Sequence, residues 1–134
     1  MLKKFVRTMA YIGGIVTGFY LFASAPGIHK KTKWQHLTGW DYAHRGLYDN
    51  EHGIPENSIA AFRRAVDKGY GIELDVHLTA DNQLVVFHDD TLTRMCGMNK
   101  KISSFLYSDL MQLRLLGTEE GIPLFKDVLE LIDG

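Results

Sequence analysis

The sequence is short of cysteine, of charge bias and of repetition, and each shortage removes a class of answer. A single cysteine, Cys96, excludes an internal disulfide framework and a cysteine-built zinc cage. There are 15 Lys and Arg against 16 Asp and Glu, with 6 His besides. That near balance lacks the clustered positive charge on which nucleic-acid binding rests, so nucleic acid is not an expected partner. No internal repeat or low-complexity tract is present. With 46% hydrophobic and 23% charged residues, the composition is that of a folded chain rather than a disordered one. The 134 residues allow one domain of modest size.

Charge is absent altogether from residues 8–28, a run preceded by Lys3, Lys4 and Arg7. As a helix it spans roughly 30 Å, the thickness of a bilayer's hydrocarbon core. A basic start and an apolar stretch also describe a cleaved signal, and Ala23-Ser24-Ala25 offers a small-x-small site. Pro26 follows that site at once and the run is long for a signal, so an uncleaved single amino-terminal anchor is expected over residues 1–28. Lys30, Lys31 and Lys33 on the far side balance Lys3, Lys4 and Arg7, so the positive-inside rule gives no orientation. A linker over 29–39 and a folded domain over 40–134 complete the expected division.

From Trp40 onward, short strand-like and helix-like segments alternate. An apolar stretch at 40–43 leads into His44-Arg45-Gly46. Pro55-Glu56-Asn57-Ser58 opens a helix with Asn57 or Ser58 as N-cap. Ile59, Phe62 and Val66 recur at helical spacing, and Gly69 is placed to end the helix. Residues 72–77 alternate with period two, and 84–87 is a continuous apolar run suited to a parallel strand buried on both faces. Residues 109–116 and 124–132 are expected to be helical. The pattern predicts an α/β fold of βα units around a parallel sheet.

The residues with chemistry sit at the ends of those strands. Period-two alternation sends Glu73, Asp75 and His77 to one face, with the two carboxylates about 7 Å apart. Hard oxygen donors at that spacing favour Mg²⁺ or Ca²⁺ over zinc. Taken alone, this strand is better read as amphipathic with a wet face. However, His44-Arg45-Gly46 follows the first strand and His88-Asp89 the third. Two histidines at matching strand ends, with a Glu/Asp pair between them, describe a site.

In order and spacing, His44-Arg45-Gly46, Pro55-Glu56-Asn57-Ser58, Glu73-Leu74-Asp75-Val76, and His88-Asp89 with Leu92 and Arg94 resemble the glycerophosphodiester phosphodiesterases over residues 42–97. Related phospholipase C- and D-like phosphodiesterases match less of the pattern. The resemblance implies a TIM (β/α)8-type barrel. It also implies divalent-metal-dependent cleavage of a glycerophosphodiester or lysophospholipid-type substrate into an alcohol and sn-glycerol 3-phosphate. By the same resemblance His44 and His88 are the acid/base pair, Glu73 and Asp75 are metal ligands, and Arg45 contacts the phosphate. Glu56 is either a ligand or a first-turn carboxylate favoured by the helix dipole.

Two departures qualify the expectation. Met95 and Cys96 stand where the family continues with threonines. A (β/α)8 barrel takes about 250 residues, so the sequence is expected to hold a barrel truncated after about three βα units. By the resemblance, a third acidic ligand and a nearby lysine would belong to a following strand, and Asp127 and Glu130 fall at ordinary helical surface positions. Two classes therefore stay open at this level: an amino-terminal fragment of a membrane-tethered phosphodiesterase, or a short non-catalytic membrane protein retaining a phosphate- or metal-binding remnant.

Overall fold

The computed structural model describes residues 1–25 and 35–132, and the chain forms two compact units, Met1–Thr38 and Gly39–Gly134. The expected linker at 29–39 falls largely outside the described residues. Helix α1 (Leu2–Ser24) runs through the uncharged segment. Its 22-residue stretch Lys3–Ser24 is long and apolar enough to cross a membrane, and none of it is buried within the protein. A membrane span and a signal sequence share that length and composition.

In the second unit, strand β1 (Tyr42–His44) pairs in parallel with β2 (Gly71–Glu73). Between them lies helix α2 (Ile59–Asp67). Ser58 caps α2: its Oγ accepts from the Ala61 N–H at 3.1 Å and donates to the Pro55 carbonyl at 2.6 Å. Gly69 leaves the helix in the left-handed region at φ 68°. Ala61, Phe62 and Ala65 form the buried stripe of α2. Burying a side chain the size of Phe62 stabilises by about 1.5–3 kcal/mol.

The expected second strand does not run unbroken through residues 72–77. It stops at Glu73, Leu74 and Asp75 leave the ladder, and a new strand β3 (Val76–Leu78) begins. Strand β4 (Leu84–Val86) pairs with β3 antiparallel, not parallel as expected. The reason is chain length: only residues 79–83 separate the two, whereas a parallel return needs a crossover of a dozen or more residues. Thr79 closes the turn. Its N–H donates to the Gln83 carbonyl at 3.0 Å, its Oγ accepts from the Gln83 N–H at 2.9 Å, and Asn82 takes φ 59°.

The burial expected of residues 84–87 is nevertheless present. Val85 packs with Phe87, Leu92, Met95, Ile102, Leu110, Leu115 and Ile122 on one side. Val86 faces Phe62 and Val128 on the other. Val128 belongs to helix α5 (Phe125–Ile132), which agrees with the expected helix at 124–132.

The expected helix at 109–116 is instead two short pieces. After α3 (Thr93–Cys96), helix α4 (Tyr107–Leu110) ends early, and a 3₁₀ turn follows at Leu115–Gly117 with Leu116 at φ 51°. Arg114 takes the carbonyls of Met111 and Leu113, each at 3.0 Å, so these groups are satisfied without a continuing helix.

One glycine connects this framework to the chemistry. Gly46 follows β1 at φ 80°, and a Cβ there would lie 2.9 Å from Ala61 of the buried helix face. Both the backbone angle and the close approach require the absence of a side chain. Gly46→Ala should therefore lower the unfolding free energy by about 1–3 kcal/mol. Urea denaturation of the full chain in detergent checks this, and a loss below about 0.5 kcal/mol, the range of neutral surface substitutions, would contradict it.

Candidate active site

The β1–β2 register sets His44 directly beside Glu73. The His44 imidazole is largely exposed, with Nε2 at 3.9 Å from Glu73 Oε2. Immediately after β1 the backbone turns through Arg45 at φ 56°. Its N–H donates to Glu73 Oε2 at 3.3 Å, and its carbonyl accepts from the Asn57 N–H at 2.9 Å. The break after Glu73 places Asp75 in the same neighbourhood. Its carbonyl accepts from the Phe87 N–H at 2.9 Å, which brings the end of β4 and His88 alongside. Asp75 Oδ2 receives Asn57 Nδ2 at 3.2 Å and has Arg45 Nε at 3.5 Å.

The expected grouping of His77 with the two carboxylates on one strand face does not survive the break. His77 belongs to β3, and its Nε2 lies 3.2 Å from the His88 carbonyl, to which it can donate.

Glu56 is 5% exposed and sits between two arginines. Arg45 Nη1 donates to its Oε1 at 2.8 Å. Arg94 Nη2 donates to the same oxygen at 2.7 Å and Arg94 Nη1 to Oε2 at 2.9 Å. Arg94 also forks onto Asp89, Nε to Oδ2 at 2.9 Å and Nη2 to Oδ1 at 2.9 Å. Asp89 Oδ1 in turn lies 2.6 Å from His88 Nδ1.

The electrostatics follow from these contacts. Burial opposes ionisation of Glu56, but the hydrogen bonds from Arg94 and Arg45 outweigh it and hold its carboxyl below the ordinary range. Asp89 is pulled down to about 2, first by the Arg94 fork and then by His88. Arg94 is held more firmly protonated than usual by Glu56 and Asp89. Burial pushes the Cys96 thiol up to about 11, so it is not a thiolate nucleophile at neutral pH.

All six residues singled out in the sequence thus belong to one connected neighbourhood. His44, Arg45, Glu73 and Asp75 touch directly, Glu56 binds Arg45, and His88 joins through Asp89 and Arg94. Sequence reasoning placed Asp89 and Arg94 in a motif and Asn57 at a helix cap, and gave none of them a role in the site. An acidic residue adjoining a strand-end histidine, with an arginine five positions on, was the available signal.

As a test of metal fit, Glu73 is met only by a backbone N–H and a distant imidazole, and Asp75 by one amide and the edge of a guanidinium. Carboxylate oxygens engaged this lightly suit a hard divalent cation. They make a partial ligand set, since no group of three His, Cys, Asp or Glu able to hold a metal occurs among the described residues.

Comparison with known proteins assigns the class of this α/β framework. The family model described as glycerophosphoryl diester phosphodiesterase family matches residues 44–133. The chain belongs to that family. Lysophospholipase D GDPD1 of Rattus norvegicus is 32% identical, matching 91% of this chain and 42% of its own length. That share exceeds what the unit Gly39–Gly134 alone can supply, so the similarity extends toward α1. A glycerophosphodiester phosphodiesterase of Bacillus altitudinis is 40% identical over 68% of this chain and 39% of its own. Among solved structures, an Oleispira antarctica phosphodiesterase in complex with the product sn-glycerol-3-phosphate aligns with TM-score 0.64 at 30% identity, covering 73% of this chain and 41% of that one. A Parabacteroides distasonis glycerophosphoryl diester phosphodiesterase gives 0.62 at 30% identity, covering 71% and 35%. The second unit is therefore part of a TIM-type (β/α)8 barrel with mixed α/β pairing, and the chain spans about two fifths of the length of the curated relatives it matches.

Asp89 yields a pH prediction. Because its carboxyl is depressed in the folded state, the stability it contributes is complete above the ordinary aspartate value near ~4 and is lost as pH falls through about 2. Discounted for solvent screening of this partly exposed pair, the effect is about 1–2 kcal/mol. Asp89→Asn should flatten the pH dependence of the urea midpoint across that window. A slope identical to wild type would contradict the fork's contribution.

Proposed function

We propose that this chain supplies the histidine, arginine and carboxylate part of an active site that hydrolyses glycerophosphodiesters, including lysophospholipid-type substrates, to an alcohol and sn-glycerol 3-phosphate at a membrane. The observation carrying this reading is the convergence of His44, Arg45, Glu73 and Asp75 where β1 and β2 end, with His88 at the end of the neighbouring β4. Family membership, the named activities of the relatives and the product-bound neighbour support it. An apolar α1 of spanning length supports the membrane location.

Each residue has a task that its surroundings suit. Arg45 has Nη1 held by Glu56 and Nε turned to Asp75, so Nη2 has no partner among the described residues and can take a phosphate oxygen. A phosphodiester repels nucleophiles by its charge, and a guanidinium meeting that charge as it builds lowers the barrier. His44 and His88 form the proton-transfer pair. One imidazole takes a proton from the attacking water oxygen as the new P–O bond forms, and the other delivers a proton to the alkoxide as its P–O bond breaks. Glu73 and Asp75 would hold a divalent ion, Mg²⁺ or Ca²⁺, which supplies Lewis-acid stabilisation of the phosphoryl oxygens when bound.

One observation favours a second reading, in which the chain binds phosphate or metal without cleaving: only two candidate carboxylate ligands converge among the described residues. Turnover separates the readings. Under the first, the chain completed by the rest of a family barrel hydrolyses glycerophosphocholine in the presence of Mg²⁺ or Ca²⁺, and Asp75→Ala in it reduces the rate about a hundredfold or more. Full activity in Asp75→Ala would remove the metal assignment. Saturable metal binding without turnover by the completed wild-type barrel would establish the second reading.

A further inference from the structure

The catalytic reading leaves Glu56, Arg94 and Asp89 with no direct part in the chemistry, although they hold the shortest polar contacts of the site. Arg94 has five N–H donors, and all are engaged: two on Asp89, two on Glu56, and one from Nη1 to Met95 Sδ at 3.1 Å. Both carboxylates meet the guanidinium edge-on in two-point forks, so their orientations are fixed relative to one another.

Each carboxylate carries one further partner. Asp89 Oδ1 faces His88 Nδ1, and Glu56 Oε1 accepts from Arg45 Nη1. An ionised carboxylate only accepts, so His88 must present Nδ1–H to Asp89. Its Nε2 is then the nitrogen available to a substrate, with no partner among the described residues. The chain Arg45–Glu56–Arg94–Asp89 contains two cations and two anions in alternation, so it is neutral before His88 gains a proton.

We infer that Arg94 is a positioning residue whose double fork aligns the Nε2 of His88, through Asp89, with the free guanidinium edge of Arg45, through Glu56. This inference rests on the roles given to His88 and Arg45 above. It makes the proton-transfer group and the phosphate-facing group parts of one rigid assembly rather than two independent side chains. Arginine is required at 94 and lysine is not an equivalent, because an ammonium carries the charge but cannot fork onto two carboxylates in one plane.

The test reads both ends of the assembly without relying on turnover. The full chain in detergent, with ¹⁵N-labelled histidine and arginine, is compared as wild type, Arg94→Lys and Asp89→Asn, with His88→Gln identifying the His88 signals. In wild type, neutral His88 should be a single Nδ1–H tautomer. Arg94→Lys should give a tautomer mixture at His88 and accelerate exchange of the Arg45 guanidinium protons about tenfold or more, read at a temperature where the variant is folded. An unchanged tautomer and unchanged Arg45 exchange in folded Arg94→Lys would overturn the proposal. Should that variant fail to fold, Asp89→Asn decides: loss of the single tautomer together with faster Arg45 exchange supports coupling through Arg94, and an Arg45 signal identical to wild type overturns it. Glycerophosphocholine turnover is measured on the wild-type chain completed by the rest of a family barrel. Coupling without turnover would overturn the catalytic reading and leave the positioning role standing.

Discussion

Glu56 is a carboxylate almost wholly removed from water, and the rest of the site depends on the need to balance it. An unpaired charge at that depth is not tolerated in a folded chain; it is paired and hydrogen-bonded or it is neutralised. Here pairing takes two guanidinium groups far apart in sequence, Arg45 after β1 and Arg94 on α3. The pairing ties three places together: the loop after β1, the start of α2 and the loop after β4. Each of those places carries a residue with a proposed part in chemistry. The same contact that satisfies a buried charge thus assembles the strand ends.

Much of the fold was legible because local rules and burial agreed. Ser58 and Gly69 marked the ends of α2 by capping chemistry that needs no tertiary partner. Val85 and Val86 declared a strand buried on both faces, and each belongs to a different core cluster. Strand direction was misread because period-two alternation through residues 72–77 looks the same whether or not the ladder is interrupted. What interrupts it is tertiary: Asp75 is held by Asn57, Arg45 and Phe87, all distant in sequence. The hairpin itself could have been anticipated from the short interval between Leu78 and Leu84. The helix expected at 109–116 failed for a different reason. Its apolar spacing was genuine, with Leu110 and Leu115 both buried, but the two belong to separate short turns packed on one cluster.

The candidate site was legible in its residues and not in its wiring. Spacing and residue type pointed to His44, Arg45, Glu73, Asp75 and His88, because strand ends are where a parallel α/β framework gathers side chains. Glu56 was ambiguous in sequence between a ligand and a dipole-favoured helix-start carboxylate. In the structure it is the acceptor for two arginines and lies just ahead of α2. Nothing at the level of sequence joins Arg94 to Glu56, since the pair is 38 positions apart and its geometry depends on the packing of α3 beneath β4. Side-chain pairing over such distances follows from the fold and cannot precede it.

Backbone strain gives the same account from another direction. Arg45 and Asn57 both adopt left-handed angles, φ 56° and φ 54°, and the Asn57 N–H donates to the Arg45 carbonyl at 2.9 Å. For arginine that conformation costs on the order of 1–2 kcal/mol and persists only where the surroundings over-determine it. They do so here. The Arg45 N–H is turned to Glu73, its carbonyl to Asn57, and its side chain to Glu56 and Asp75. In an extended conformation the residue would continue β1, and its guanidinium would leave the strand end. The left-handed turn therefore trades local backbone comfort for a cation placed between two carboxylates, Glu56 and Asp75, with one edge still open. A residue kept in a disfavoured conformation by four separate partners suits the phosphate-facing role proposed for Arg45, and the charge it presents is the one that a phosphodiester requires.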